Sequence, residues 1–123
     1  KAVGSPEFPL ILFQSYFDTL REHPEYVRLL GWTYVVEPEG ERSLPGQATA
    51  LVEILEKLQR QGKLTRSLGA PEILSIIWSL AEGWFLGRKD FIRRLDLAGG
   101  EDSHIDAYRQ ATLEGLRRML EPS

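Results

Sequence analysis

The sequence predicts an all-α fold: one helical bundle domain of about five to six helices. Three observations carry this reading. Apolar residues recur at three- and four-residue spacing along most of the chain. Prolines stand where helical runs open, at Pro9, Pro24, Pro45 and Pro71. No stretch alternates apolar and polar residues over a strand's length between turn signals, and no 20–50-residue period repeats.

Taken in order, Leu10, Phe13, Phe17 and Leu20 share one face of a first helix ending near His23. Pro24 opens a second, with Val27, Leu30, Tyr34 and Val35 on one side, stopped by Pro38 and Gly40. Ser43 is placed as N-cap of a third, whose stripe is Leu51, Ile54, Leu55 and Leu58, and Gly62 ends it. Pro71, with Glu72 beside the positive helix end, opens a fourth run to about Gly87 that is apolar nearly all round. Its sides, Ile73/Ile76/Ile77/Leu80/Trp84 and Leu74/Trp78/Ala81/Phe85, require partners in two directions. The segment 88–97 is left open, with Phe91, Ile92 and Leu95 suggesting a short turn before Gly99-Gly100. Asp102 or Ser103 then caps a last helix carrying Ile105, Tyr108, Thr112, Leu116 and Met119, with Ala107, Ala111 and Gly115 as small positions on another side.

Composition narrows the function. With 123 residues, 42% hydrophobic and 27% charged, the chain suits one folded domain with one core. Residues 1–7 read as a leader, either a linker or a cloning remnant, and residues 8–121 as the domain. Fifteen Lys and Arg against eighteen Asp and Glu leave a net charge of −3, which offers no attraction to phosphate backbones. Cysteine is absent, which removes disulfides and thiol chemistry and fits a cytoplasmic protein. No apolar run approaches the roughly 20 residues that span a bilayer, so no membrane role is expected.

No catalytic signature, glycine-rich phosphate loop or metal-ligand spacing is present, so neither an enzyme nor a bound cofactor is expected. His23 and His104 lie at helix starts far apart and read as capping or surface residues. A helix-turn-helix over 61–77 fails because its second helix would present Ile73, Leu74, Ile76, Ile77 and Trp78 to DNA, which is core material.

Two stretches resemble a known family. Tyr16-Phe17-Asp18-Thr19-Leu20 through His23-Pro24-Glu25 to Arg28-Leu29-Leu30-Gly31-Trp32, and Leu55-Glu56-Lys57-Leu58-Gln59-Arg60-Gln61-Gly62-Lys63-Leu64, are similar to TetR-family regulatory domains. The resemblance implies a bundle that holds a small hydrophobic or amphipathic effector and a homodimer in which the last two long helices pair with their copies as a four-helix bundle. It also implies that DNA is read through an N-terminal helix-turn-helix of roughly fifty residues, for which nothing upstream of Leu10 has room.

An effector pocket is apolar and aromatic with a few polar handles, so the pocket candidates are Phe13, Phe17, Trp32, Trp78 and Phe85, with Glu82 as the charge inside an apolar helix. The dimer-interface candidates are Ile73, Ile77, Leu80, Trp84, Tyr108, Ala111, Thr112 and Leu116. The alternative is a dimerising interaction module with a filled core and no effector, which draws on the same residues.

Overall fold

A computed structural model describes residues 2–36 and 45–122. Five α-helices follow a short 3-10 turn at Ala2–Gly4: α1 Phe8–Glu22, α2 Pro24–Val36, α3 Pro45–Arg60, α4 Ala70–Arg94 and α5 Ile105–Met119, with a second 3-10 turn at Glu101–Ser103. Ser43, Pro38 and Gly40 lie outside the described residues, as do the side chains of Tyr34 and Val35.

The helix ends follow local chemistry. Gly62 adopts φ +73° just past α3. There its amide donates to the Gln59 carbonyl and the Lys63 amide to the Leu58 carbonyl, the paired bonds of a Schellman stop. α4 ends in the same way, but with Asp96 rather than glycine in the left-handed position (φ 54°), the Leu97 amide reaching Ile92 and the Asp96 amide reaching Arg93. A short polar side chain tolerates that conformation better than other non-glycine residues do.

α4 therefore runs seven residues past the expected stop at Gly87. The glycine does not break it because the Phe91 ring lies over the gap, and a Cβ at Gly87 would come within 2.9 Å of that ring. The expected side-chain cap on α5 is also corrected: His104 occupies the cap position without a side-chain capping bond. The Ser103 hydroxyl instead donates back to the Gly100 carbonyl, and the His104 ring lies 2.6 Å from the Ala98 carbonyl.

α4 packs most extensively on α1, the two running in the same direction with Tyr16 beside Glu82 and Phe17 beside Phe85. Phe13, Phe17, Leu20, Leu55, Ile73, Ile77 and Leu116 form the deepest layer of the core. Phe17 joins three elements, with ring centroids 5.4 Å from Phe13, 4.9 Å from Phe85 and 6.1 Å from Tyr108.

α5 lies antiparallel to α1 and is tied to it by charge. Glu7 at the head of α1 meets Arg117, Asp18 meets Arg109 and Arg21 meets Asp106. The middle pair is a two-bonded fork at 2.9 and 2.8 Å, the strong geometry for arginine and carboxylate.

The core ranking has a measurable consequence. Phe17→Ala removes a fully buried aromatic ring and should cost about 3–5 kcal/mol of unfolding free energy, whereas Trp32→Ala, at a side chain 67% exposed, should stay within about 0.5 kcal/mol. Urea denaturation of both variants checks this.

Candidate functional site

A half-open cleft of about 520 Å³ lies beside an apolar wall where α1 ends and α2 begins. Leu20 and Arg21 come from the last turn of α1, and Pro24, Val27 and Arg28 from the first turns of α2. α4 contributes Trp84, Phe85, Leu86, Arg88 and Lys89, and the 3-10 turn and start of α5 contribute Glu101, Asp102 and Ile105. The cleft exists because α1 stops at Glu22 while α4 continues to Arg94, leaving the later turns of α4 without α1 beside them.

Its charged rim is partly neutralised from within. Arg88 donates from Nε to Glu101 Oε1 at 2.5 Å and from Nη1 to the Phe85 carbonyl, and its guanidinium lies 5.9 Å from the Phe85 ring centre. These contacts pin the 3-10 turn onto α4. Arg21 is engaged by Asp106 at 3.0 Å.

Trp84 is 4% exposed, stacks on Tyr108 at 5.0 Å, and has a buried indole N–H with no acceptor among the described residues. A buried donor left unpaired costs about 1–3 kcal/mol.

The predicted pocket residues do not gather here. Phe85 lines the cleft. Phe13 and Phe17 are fully buried and packed against their neighbours, so the bundle centre is filled where they stand. Trp32 faces outward from α2, and Trp78 is half-buried against the core. Glu82 is half-buried and accepts a 2.5 Å hydrogen bond from the Tyr16 hydroxyl, which is how the apolar helix accommodates it.

The interface candidates divide similarly. Ile73 and Ile77 are 0% exposed, and Leu116 and Trp84 are also buried within the protomer, because α1, α3 and α5 between them supply the partners that α4 requires. These four present no free surface. Leu80, Tyr108 and Thr112 are half-buried, and Ala111 is exposed. The Tyr108 hydroxyl donates to the Leu80 carbonyl at 2.6 Å, joining α5 to α4. A Cβ at Gly83 on α4 or Gly115 on α5 would meet nothing within 4 Å among the described residues, so the two helices keep open sides lined by small residues.

The cleft itself was not anticipated as a unit. Pro24 marked the boundary between α1 and α2. The remaining wall residues are distributed over 86 positions of sequence with no shared motif. Among the described residues no three His, Asp or Glu gather at metal-binding distance, and no helix is long and apolar enough to cross a membrane.

Five helices among the described residues, the fourth the longest and with a mixed apolar and charged cleft beside it, define the class as an all-helical bundle domain. Residues 13–118 match the family described as tetracyclin repressor-like, C-terminal domain. The match covers most of the chain, and the protein belongs to that family of transcriptional regulators. Among curated proteins and among solved structures, nothing matches it.

Two phenols provide a test of the packing around the site. Burial raises the Tyr16 pKa well above its ordinary value, and the Glu82 carboxylate that its hydroxyl touches adds to the rise. Burial likewise raises that of Tyr108. Both groups are therefore held neutral more firmly in the fold than in the unfolded chain. Their stabilisation is fully present below the unfolded pKa near ~10 and is lost as pH climbs above it toward the raised folded values. The thermal midpoint should fall steeply above pH ~10, and Tyr16→Phe should flatten that fall; melting curves from pH 8 to 11.5 read it directly.

Proposed function

We propose that this chain is the regulatory domain of a TetR-like transcriptional regulator, taking a small effector in the cleft at the end of α1 and dimerising through the outer sides of α4 and α5. The observation that carries the reading is the position of α1. One end of this helix forms the cleft wall at Leu20 and Arg21. The other joins the N-terminal residues, where the Lys63 ammonium donates to the Gly4 carbonyl at 2.7 Å and Glu7 meets Arg117.

A DNA-reading headpiece of the family kind would attach at that second end. An effector that packs better against one setting of α1 than another shifts the population of settings, and in a dimer it changes the spacing of two headpieces. No bond is made or broken, which agrees with a family whose regulatory domains are typically non-enzymatic.

The dimer surface in this reading comprises Leu80, Gly83, Ala111, Thr112 and Gly115 rather than the buried isoleucines. Small side chains there let a copy of each helix approach closely, as side-by-side helix pairing requires. A second reading, a dimerising module without an effector, draws on the filled bundle centre around Phe13 and Phe17.

Native mass spectrometry of the purified chain separates the two. A dimer carrying additional bound mass supports the effector reading, a bare dimer that takes up no small molecule supports the module, and a monomer at micromolar concentration removes both. Gly115→Arg, which places a bulky cation on the open side of α5, should convert the dimer to a folded monomer.

A further inference from the structure

The chemistry of the cleft names the class of its occupant, an inference that rests on the effector reading above. Its apolar floor is Leu20, Val27, Phe85 and Ile105, a surface for a hydrocarbon or aromatic body. Around it stand four cations and two carboxylates, and the ion pairs do not use them evenly.

Arg88 is taken by Glu101 and Arg21 by Asp106 from outside the wall. Lys89 makes no ion pair among the described residues. Among the described residues Arg28 has none within 4 Å and feels a longer-range attraction to Glu25, whose nearer partner is His23. Against these two cations, the wall carboxylate without an ion pair among the described residues is the exposed Asp102.

The third unmet group is the buried Trp84 indole N–H, which also requires an acceptor. Two cations, Arg28 and Lys89, thus remain without ion-pair partners among the described residues at the edge of an apolar hollow. We propose that the cleft takes an amphipathic anion, its apolar body on Leu20, Val27, Phe85 and Ile105 and its acidic head group held by Arg28 and Lys89. The head group is a carboxylate or a phosphate, both of which present acceptor oxygens to these cations.

Titration calorimetry on the 123-residue chain tests this with four probes of matched chain length: decanoate, decyl phosphate, decanol and decyltrimethylammonium, each below its micelle concentration. At least one anion should bind ten-fold or more tightly than decanol and the ammonium probe. Whichever of decanoate and decyl phosphate binds more tightly identifies the head group. The double variant Arg28→Ala/Lys89→Ala, at two exposed side chains, should bring the anion down to decanol's level while leaving decanol unchanged.

Anion binding that survives the double variant overturns the proposal, because the head group is then held elsewhere. Decanol binding as tightly as the anions, or the ammonium probe binding best, with binding lost in a folded Val27→Trp variant, also overturns it while leaving the effector reading standing. No binding of any probe overturns the proposal, and the native mass spectrum then decides whether the effector reading falls with it.

Discussion

The burial of α4 against α1 is the constraint from which the rest of the domain follows. A 25-residue helix is about 37 Å long and a 15-residue helix about 22 Å, so α1 can cover only part of its partner. Over the shared length the seam is buried and aromatic, with Phe17 against Phe85, and the polar Tyr16–Glu82 bond closes one edge. Beyond it α4 needs other cover, which comes from the start of α2 and from the Glu101–Ser103 turn clamped by Arg88. The cleft lies where those substitutes meet without filling the space.

Most of the fold was legible from periodicity and punctuation. Pro24 and Gly62 sit at the boundaries assigned to them, and the stripe from Leu10 to Leu20 is the buried face of α1. The misreadings were local substitutions of one physical device for another. Gly87 looked like a stop because glycine usually weakens a helix, yet here the Phe91 ring from the next turn shields it. Asp96 took the left-handed position that a sequence reading assigns to glycine, so the true end of α4 carried no recognisable signal.

The site was much less legible, for a reason specific to small helical domains. Phe13 and Phe17 belong to the residue types that line effector pockets, but a domain of this size needs its largest apolar side chains to hold together, and both are consumed in doing so. The two-sided apolar character of α4 pointed outward to a second subunit, whereas Ile73 and Ile77 are satisfied within the chain. Periodicity reports that a face must be covered and is silent about what covers it. Mixed walls such as that of Val27, Arg28 and Lys89 are assembled by helix ends meeting, and they leave no spacing rule in the sequence.

Two charged pairs between α1 and α5 share one antiparallel register, 18 with 109 and 21 with 106, while Glu7, just ahead of α1, meets Arg117 three residues off it. Sliding one helix past the other by a single turn, about 5.4 Å, would misalign both in-register pairs and set Asp18 opposite Ile105 or Leu113, both buried apolar residues. Pairs this exposed each contribute little to stability, typically about 0.2–1 kcal/mol. Together they act as teeth on a rack, setting the register of the two helices and making translation of one past the other costly.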